Sequence, residues 1–177
     1  MPQMIRGLTL THPWPLAFLH LGKDVENRRW DPRTKGGRTG MAIALHGGVP
    51  PVLGNNKKYR DFEDDWAWVL DGPRNKERVS QERLTWISKQ CTVIEGNVHS
   101  LPEGWHFRPG IVAVATLADV TQYSTSPWAA QGQFNLLLTD VTPLKEPVVD
   151  DGFHQGLWTL QPDALKAVEA QLGRSFS

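Results

Sequence analysis

The sequence predicts a mixed α+β domain: a small, partly open β-barrel with helices packed against it and a helical insertion. Three observations carry that expectation. Short apolar runs with a period of two, or rich in Val and Ile, recur in both halves of the chain, as strands of a small sheet require. Between them, from Tyr59 to Cys91, the apolar period becomes helical. Glycine and proline punctuate the segments and no longer period recurs, which excludes a repeat architecture. At 177 residues the chain fits one domain spanning its whole length, with the insertion at about 55–91.

The elements follow in order. Ile5 to Thr9 reads as a short strand that ends at Thr11-His12-Pro13-Trp14-Pro15. Prolines are tolerated at a helix start, and Trp14, Ala17, Phe18 and Leu21 then recur at helical spacing until Gly22 stops the helix. The run from Lys23 to Trp30 is a strand, and Asp31 to Gly40 is a loop. Gly40 to His46 alternates, with Met41, Ile43 and Leu45 on one face and Ala42, Ala44 and His46 on the other. Val49 to Asn56 is a second loop. Tyr59, Phe62, Trp66, Val69 and Leu70 form the stripe of one helix, and Asn75 to Cys91 forms a second that presents Val79, Leu84, Trp86 and Ile87. Thr92 to Ile94 reads as a short strand, followed by a loop through Pro102, Gly104 and Pro109. Gly110 to Val120 and Phe134 to Val141 are strands by their Val, Ile and Leu content. The turn Gly152 to Gly156 leads into a last short strand, and Pro162 opens a closing helix with Leu165, Val168 and Leu172 on one face.

Composition narrows the function classes. Lys and Arg number 19, as do Asp and Glu, so no global field draws the chain to nucleic acid. Locally, Lys23, Arg28, Arg29, Arg33, Lys35 and Arg38 outnumber the acids around them, and Asp61, Glu63, Asp64, Asp65 and Asp71 form an acidic counterpart downstream. The single cysteine, Cys91, rules out an internal disulfide and reads as a buried, inert thiol in a reducing compartment. Thr, His and Pro interrupt the apolar residues between Leu8 and Leu21, so that stretch does not read as a signal peptide. No apolar run approaches the roughly 20 residues of a membrane span. A cytoplasmic protein with no membrane partner is expected. Its histidines, His12, His20, His46, His99, His106 and His154, show no metal-ligand spacing, and no glycine-rich phosphate loop occurs, so neither metal nor cofactor is expected. His20 is expected to face solvent.

Chemical content concentrates in Gly22-Lys23-Asp24-Val25-Glu26-Asn27-Arg28-Arg29-Trp30. As a strand it places Glu26, Arg28 and Trp30 on one face and Val25, Asn27 and Arg29 on the other. With so few apolar residues, its Glu26 face is expected to line a polar cleft, while Asn27 ties down backbone on the opposite side. Glu26 would accept from a base N–H, Arg28 would hold a phosphate bidentately, and Lys23 would add a point charge. Eight tryptophans are many for such a chain, and Trp14, Trp30 or Trp158 could stack on a base. His46 is a further hydrogen-bonding candidate.

His12-Pro13-Trp14, the Lys23…Glu26-Asn27-Arg28…Trp30 run and Gly152…Gly156-Leu157-Trp158, taken in that order, resemble the ASCH domain of the PUA-like superfamily. The resemblance covers most of the chain outside roughly Val49 to Trp105. It implies a PUA-like pseudobarrel whose cleft binds RNA, another single-stranded nucleic acid, or a nucleotide or nucleoside. The implied binding set is His12, Trp14, Lys23, Glu26, Arg28, Trp30, His46 and Trp158. In that family a Gly-x-Lys-x-x-Glu-x-Arg pattern lines the cleft. Here Gly22 stands one place late, while Lys23, Glu26 and Arg28 keep their mutual spacing. Some relatives look like amidohydrolases on acylated cytidine that use a Lys, a Thr three residues on and a distant Glu; Glu26 occupies the Thr position, which removes that hydroxyl. Others look like ribonucleases. A metal-independent hydrolase would draw on Lys23, Glu26 and His46 as acid and base. The sequence does not fix the oligomeric state.

Overall fold

The structure, a computed structural model, describes residues 3–52, 54–71, 75–90, 92–94, 97–100 and 109–177. Its elements are β1 (Ile5–Leu10), α1 (Trp14–His20), β2 (Val25–Arg28), a 3₁₀ turn (Pro32–Lys35), β3 (Ala42–Gly47), α2 (Lys57–Asp71), α3 (Asn75–Arg78), α4 (Gln81–Gln90), β4 (Thr92–Ile94), β5 (Asn97–Ser100), β6 (Gly110–Thr121), β7 (Phe134–Val148), β8 (Leu157–Trp158) and α5 (Pro162–Leu172). The expected helix from Asn75 to Cys91 is broken after Arg78, where Val79 turns into the core and Ser80 precedes α4. Cys91 and the loop through Pro102 and Gly104 lie outside the described residues.

Six strands form one mixed sheet in the order β2-β7-β6-β3-β1-β8, and β4 pairs with β5 separately. Within the large sheet β1 and β3 run parallel and every other pair is antiparallel. The sheet curls into a half-barrel. Strands lie about 4.8 Å apart, so β2 and β1, with three strands between them, would stand about 19 Å apart in a flat sheet. Yet Nη2 of Arg28 on β2 donates to the carbonyl of Thr9 on β1 at 2.7 Å. Irregular register provides the bend: the β6–β7 ladder shifts at three places, and β3 slips against β6 between Leu45 and His46. Bulges of this kind kink a strand and increase its twist. They also let β7 run on past Val141, because Pro143 pairs with Ala113 beside one shift, where the regular ladder is already interrupted.

Alternation divides the side chains between two faces. The concave face carries Leu8, Leu10, Ile43, Leu45, Leu136 and Leu138, closed by Phe18 of α1. The opposite face carries Ile5, Ala42, Ala44 and Val114, covered by Ala164 and Val168 of α5. On the far side of α1, Leu16, Ala17 and Leu21 meet Trp66 and Val69 of α2 and Ile87 of α4. The layers therefore run α5, sheet, α1, then α2 with α4. Among the described residues no helix is long and apolar enough to cross a membrane.

The small alanines of β3 and Gly7 of β1 leave room on the α5 face for the indole of Trp158. Gly7 pairs directly with Trp158, and a Cβ at Gly7 would fall 2.3 Å from its ring carbons. That ring is buried and cannot yield. Gly7→Ala should lower unfolding stability by about 1–3 kcal/mol through overpacking. Urea denaturation that finds the variant as stable as the parent would show that the indole is not held there.

Candidate functional site

Lys23, just before β2, is buried, although a lysine is ordinarily among the most exposed residues. Its ammonium donates to the Val25 carbonyl and stands 3.6 Å from Glu26 Oε2. It also lies 5.0 Å from the ring centres of Trp14 and Phe18 and 5.7 Å from that of Trp128. Burial lowers its pKa from the usual lysine value, against the raising influence of Glu26. Glu26, buried on β2, is held from its other side by Arg28, whose Nη2 is 3.1 Å from Oε1. One carboxylate thus sits between two cations, and the second cation also ties β2 to Thr9. The guanidinium lies 5.9 Å from the Trp30 ring, which packs on the concave core.

Asn27 projects to the opposite face. Its amide donates to Trp128 O (2.9 Å) and accepts from the Ala130 N–H and from Asn135 Nδ2, both at 2.9 Å. This fixes the 128–130 loop beside β2. Between that loop, β2 and α2 opens a recess of about 290 Å³, bordered by Trp14, Lys23, Glu26, Asp65, Trp68 and Gln133 among others. The Trp14 and Trp68 rings meet edge to face, 5.9 Å apart. A larger recess of about 590 Å³ lies between α2 and the ends of β1 and β3, where Thr11, His12 and Gly48 face Phe62 and Asp64; Asp65 borders both. The Asp65 carboxyl is pushed up to about 6, chiefly by burial and then by Asp61, Asp64 and Glu26, while a hydrogen bond from the Trp14 indole works the other way.

A second polar cluster occupies the α5 face. His46 Nδ1 lies 3.1 Å from Thr9 Oγ1, which also accepts from Trp158 Nε1 at 3.2 Å. An indole N–H only donates, so Thr9 Oγ1 is the acceptor in that bond, and its hydroxyl proton and second lone pair both suit His46 Nδ1. The His154 ring centre is 4.3 Å from those of both His46 and Trp158, and its Nε2 meets Asp150 Oδ1 at 3.1 Å. Burial, and then the neighbouring His154, lower the His46 pKa to about 4.

The candidates therefore separate. Trp14, Lys23 and Glu26 border the smaller recess. Arg28 and Trp30 adjoin it from the concave side, and His12, whose Nε2 meets the Gly48 carbonyl at 2.9 Å, borders the larger recess. His46 and Trp158 lie together on the other face of the sheet, joined to Arg28 only through Thr9 among these contacts. His20 is partly exposed, with its ring stacked on Trp86 at 4.6 Å. Sequence reasoning assigned no role to Asp65 or Trp68 and left Gln133 without one. The available signal was that Asp65 and Trp68 fall off the apolar stripe of α2, where a tryptophan has no core to fill. Among the described residues no three His, Cys, Asp or Glu side chains converge as a metal site requires.

No protein-family model matches the chain, and no curated protein does.

Two opposed acid responses follow. His46 is neutral in the folded state down to about pH 4, whereas the unfolded chain takes up that proton near 6.5. Its contribution is therefore present above pH 6.5 and lost as pH falls towards 4. Asp65, raised from 3.8 to about 6, binds its proton more readily when folded, so over pH 6 to 4 it offsets part of that loss. Thermal melts between pH 7 and 4 should show a shallower acid loss in His46→Gln and a steeper one in Asp65→Asn. Parallel curves for all three proteins would contradict these environments.

Proposed function

We propose that the chain is an ASCH-type member of the PUA-like superfamily that binds RNA or a nucleotide and recognises one unpaired or modified base. The single observation that carries this reading is a buried carboxylate, Glu26, at the wall of a recess that two indoles, Trp14 and Trp68, also line. At about 290 Å³ the recess sits at the small end of ligand pockets, which suits one base rather than a dinucleotide. Indole faces give base-tolerant stacking, and amide and carboxylate groups at the walls read a base edge. Lys23 and Arg28 hold Glu26 in place before a ligand arrives, which lowers the ordering cost of binding. Arg28, with its side chain 23% exposed, is the group assigned to a phosphate at the mouth. Trp30 backs Arg28 in this scheme. A curled half-barrel with peripheral helices is compatible with the pseudobarrel of that superfamily and supports the reading to that extent.

A second reading, a metal-independent hydrolase acting on RNA or a modified nucleoside, is favoured by one observation. Lys23, its pKa lowered by burial, borders the same recess as Asp65, whose carboxyl is raised to about 6, and an acid and a base displaced from their ordinary values in one recess are suited to proton transfer. It predicts turnover that persists with a chelator and disappears in Lys23→Ala.

Fluorescence anisotropy with a short single-stranded RNA tests the first reading. Trp68 is partly exposed but carries the buried Arg78 guanidinium 3.7 Å from its ring centre, so a melting curve of the variant accompanies the titration. Trp68→Ala should weaken binding about tenfold, as the loss of one stacked base does. Arg28→Gln should reduce the slope of log affinity against log salt by about one unit. Full affinity in Trp68→Ala would place any nucleic-acid site elsewhere.

A further inference from the structure

We infer that the recess between Trp14 and Trp68 takes a positively charged nucleobase, one alkylated on a ring nitrogen, with the Asp65 carboxylate as its counter-ion. This rests on the base-recess reading above and adds the charge of the ligand to it. Four features of the recess support the assignment.

First, its aromatic wall consists of indoles, which offer the strongest π attraction for a cation among the aromatic side chains. The same cluster already holds two cations in this way: the Lys23 ammonium lies 5.0 Å from the Trp14 centre and 5.7 Å from that of Trp128, and the Arg78 guanidinium covers one side of the Trp68 ring at 3.7 Å. Second, the charge of Lys23 is not free to repel a ligand, since Glu26 stands 3.6 Å away and the Val25 carbonyl takes one of its protons. Third, Glu26 is matched by Lys23 and Arg28, but among the described residues no lysine or arginine forms an ion pair with Asp65. Its polar contact is the Trp14 indole N–H. Fourth, the surroundings of Asp65 are acidic: Asp61 and Asp64 on its own helix and Glu26 across the recess all hinder its ionisation. A cation placed against it relieves that repulsion, whereas a neutral base does not.

The other charged and titratable groups nearby are Lys58 and the burial-depressed imidazole of His12 across the larger recess, and Arg78, which lies over Trp68 and donates to its carbonyl at 2.6 Å. Lys57 is engaged with Asp61 at 2.5 Å. The carboxylate is thus the group whose charge the ligand would meet, and its preference for a cation should fade as Asp65 protonates below about 6.

Calorimetric titration with two matched pairs, 1-methyladenosine against adenosine and 3-methylcytidine against cytidine, tests this at pH 7.5 and pH 5. At pH 7.5 each methylated nucleoside should bind about tenfold more tightly than its neutral counterpart, the advantage a single cation–π contact and counter-ion supply. At pH 5 that advantage should shrink towards parity. Asp65→Asn keeps an acceptor for the Trp14 indole and should erase the advantage at pH 7.5, with a folded-state melting curve as control. Equal binding within each pair at pH 7.5, or a preference for the methylated nucleoside that survives in Asp65→Asn, overturns the inference while leaving a base site intact. Failure of all four nucleosides to bind at either pH overturns the base-recess reading itself, and this inference with it.

Discussion

The guanidinium of Arg28 spans a gap that the strand order would leave wide open. By donating to the Thr9 carbonyl while contacting Glu26, it joins one edge strand of the sheet to a strand four places away. Everything on the concave side depends on that closure. It brings β2 over the apolar surface of β1, β3 and β7, and it turns the Glu26 face inward. Without it, β2 would lose its link to β1 across the concave side, and the Glu26 carboxylate would lose one of its two cations.

Burial of this network has a thermodynamic consequence. Two cations and an anion in a poorly solvated site are costly, and mutual attraction offsets that cost only when the geometry satisfies them together. Breaking one partner from such a group typically costs about 3–5 kcal/mol, because the remainder is left uncompensated. Replacing the whole set with apolar residues would often be neutral or stabilising. Such a set is therefore weak evidence for stability, and two of its members, Lys23 and Glu26, border the recess. The aromatic rings around Lys23 belong to the same logic, since they supply a π environment where water has been removed.

The recess itself is made by two parts of the chain with opposite charge. The β2 segment brings Lys23 and the paired carboxylate of Glu26, while α2 brings Asp65 and the indole of Trp68, with Asp61 and Asp64 on the larger recess beside it. The pairing of Asn27 with Asn135 and the 128–130 backbone makes the third wall rigid. On the reverse of the sheet, the His46, His154 and Trp158 cluster holds the Thr9 side chain, whose backbone carbonyl is the acceptor for Arg28. The two polar centres therefore share one residue, although the sheet separates them.

Much of this was legible in residue order alone. The alternation of Met41 to His46, the stripe of α2 and the division of Glu26 and Arg28 from Asn27 follow from periods of 2 and 3.6, which are local properties of the backbone. That Lys23, Glu26 and Arg28 stand close together was also visible, because they lie within six residues of one another at and just before one short strand. Other features were not local. Alternation puts His46 with Ala42 and Ala44, but that this face meets α5 and Trp158, away from Lys23 and Glu26, is set by strand order, which no spacing rule encodes. Asp65 and Trp68 join Glu26 only because α2 folds back over α1, some forty residues downstream. Sequence determined which side chains could share a face of one element; the tertiary structure decided which faces meet, because packing of the apolar stripes, not the polar residues, sets how those elements dock.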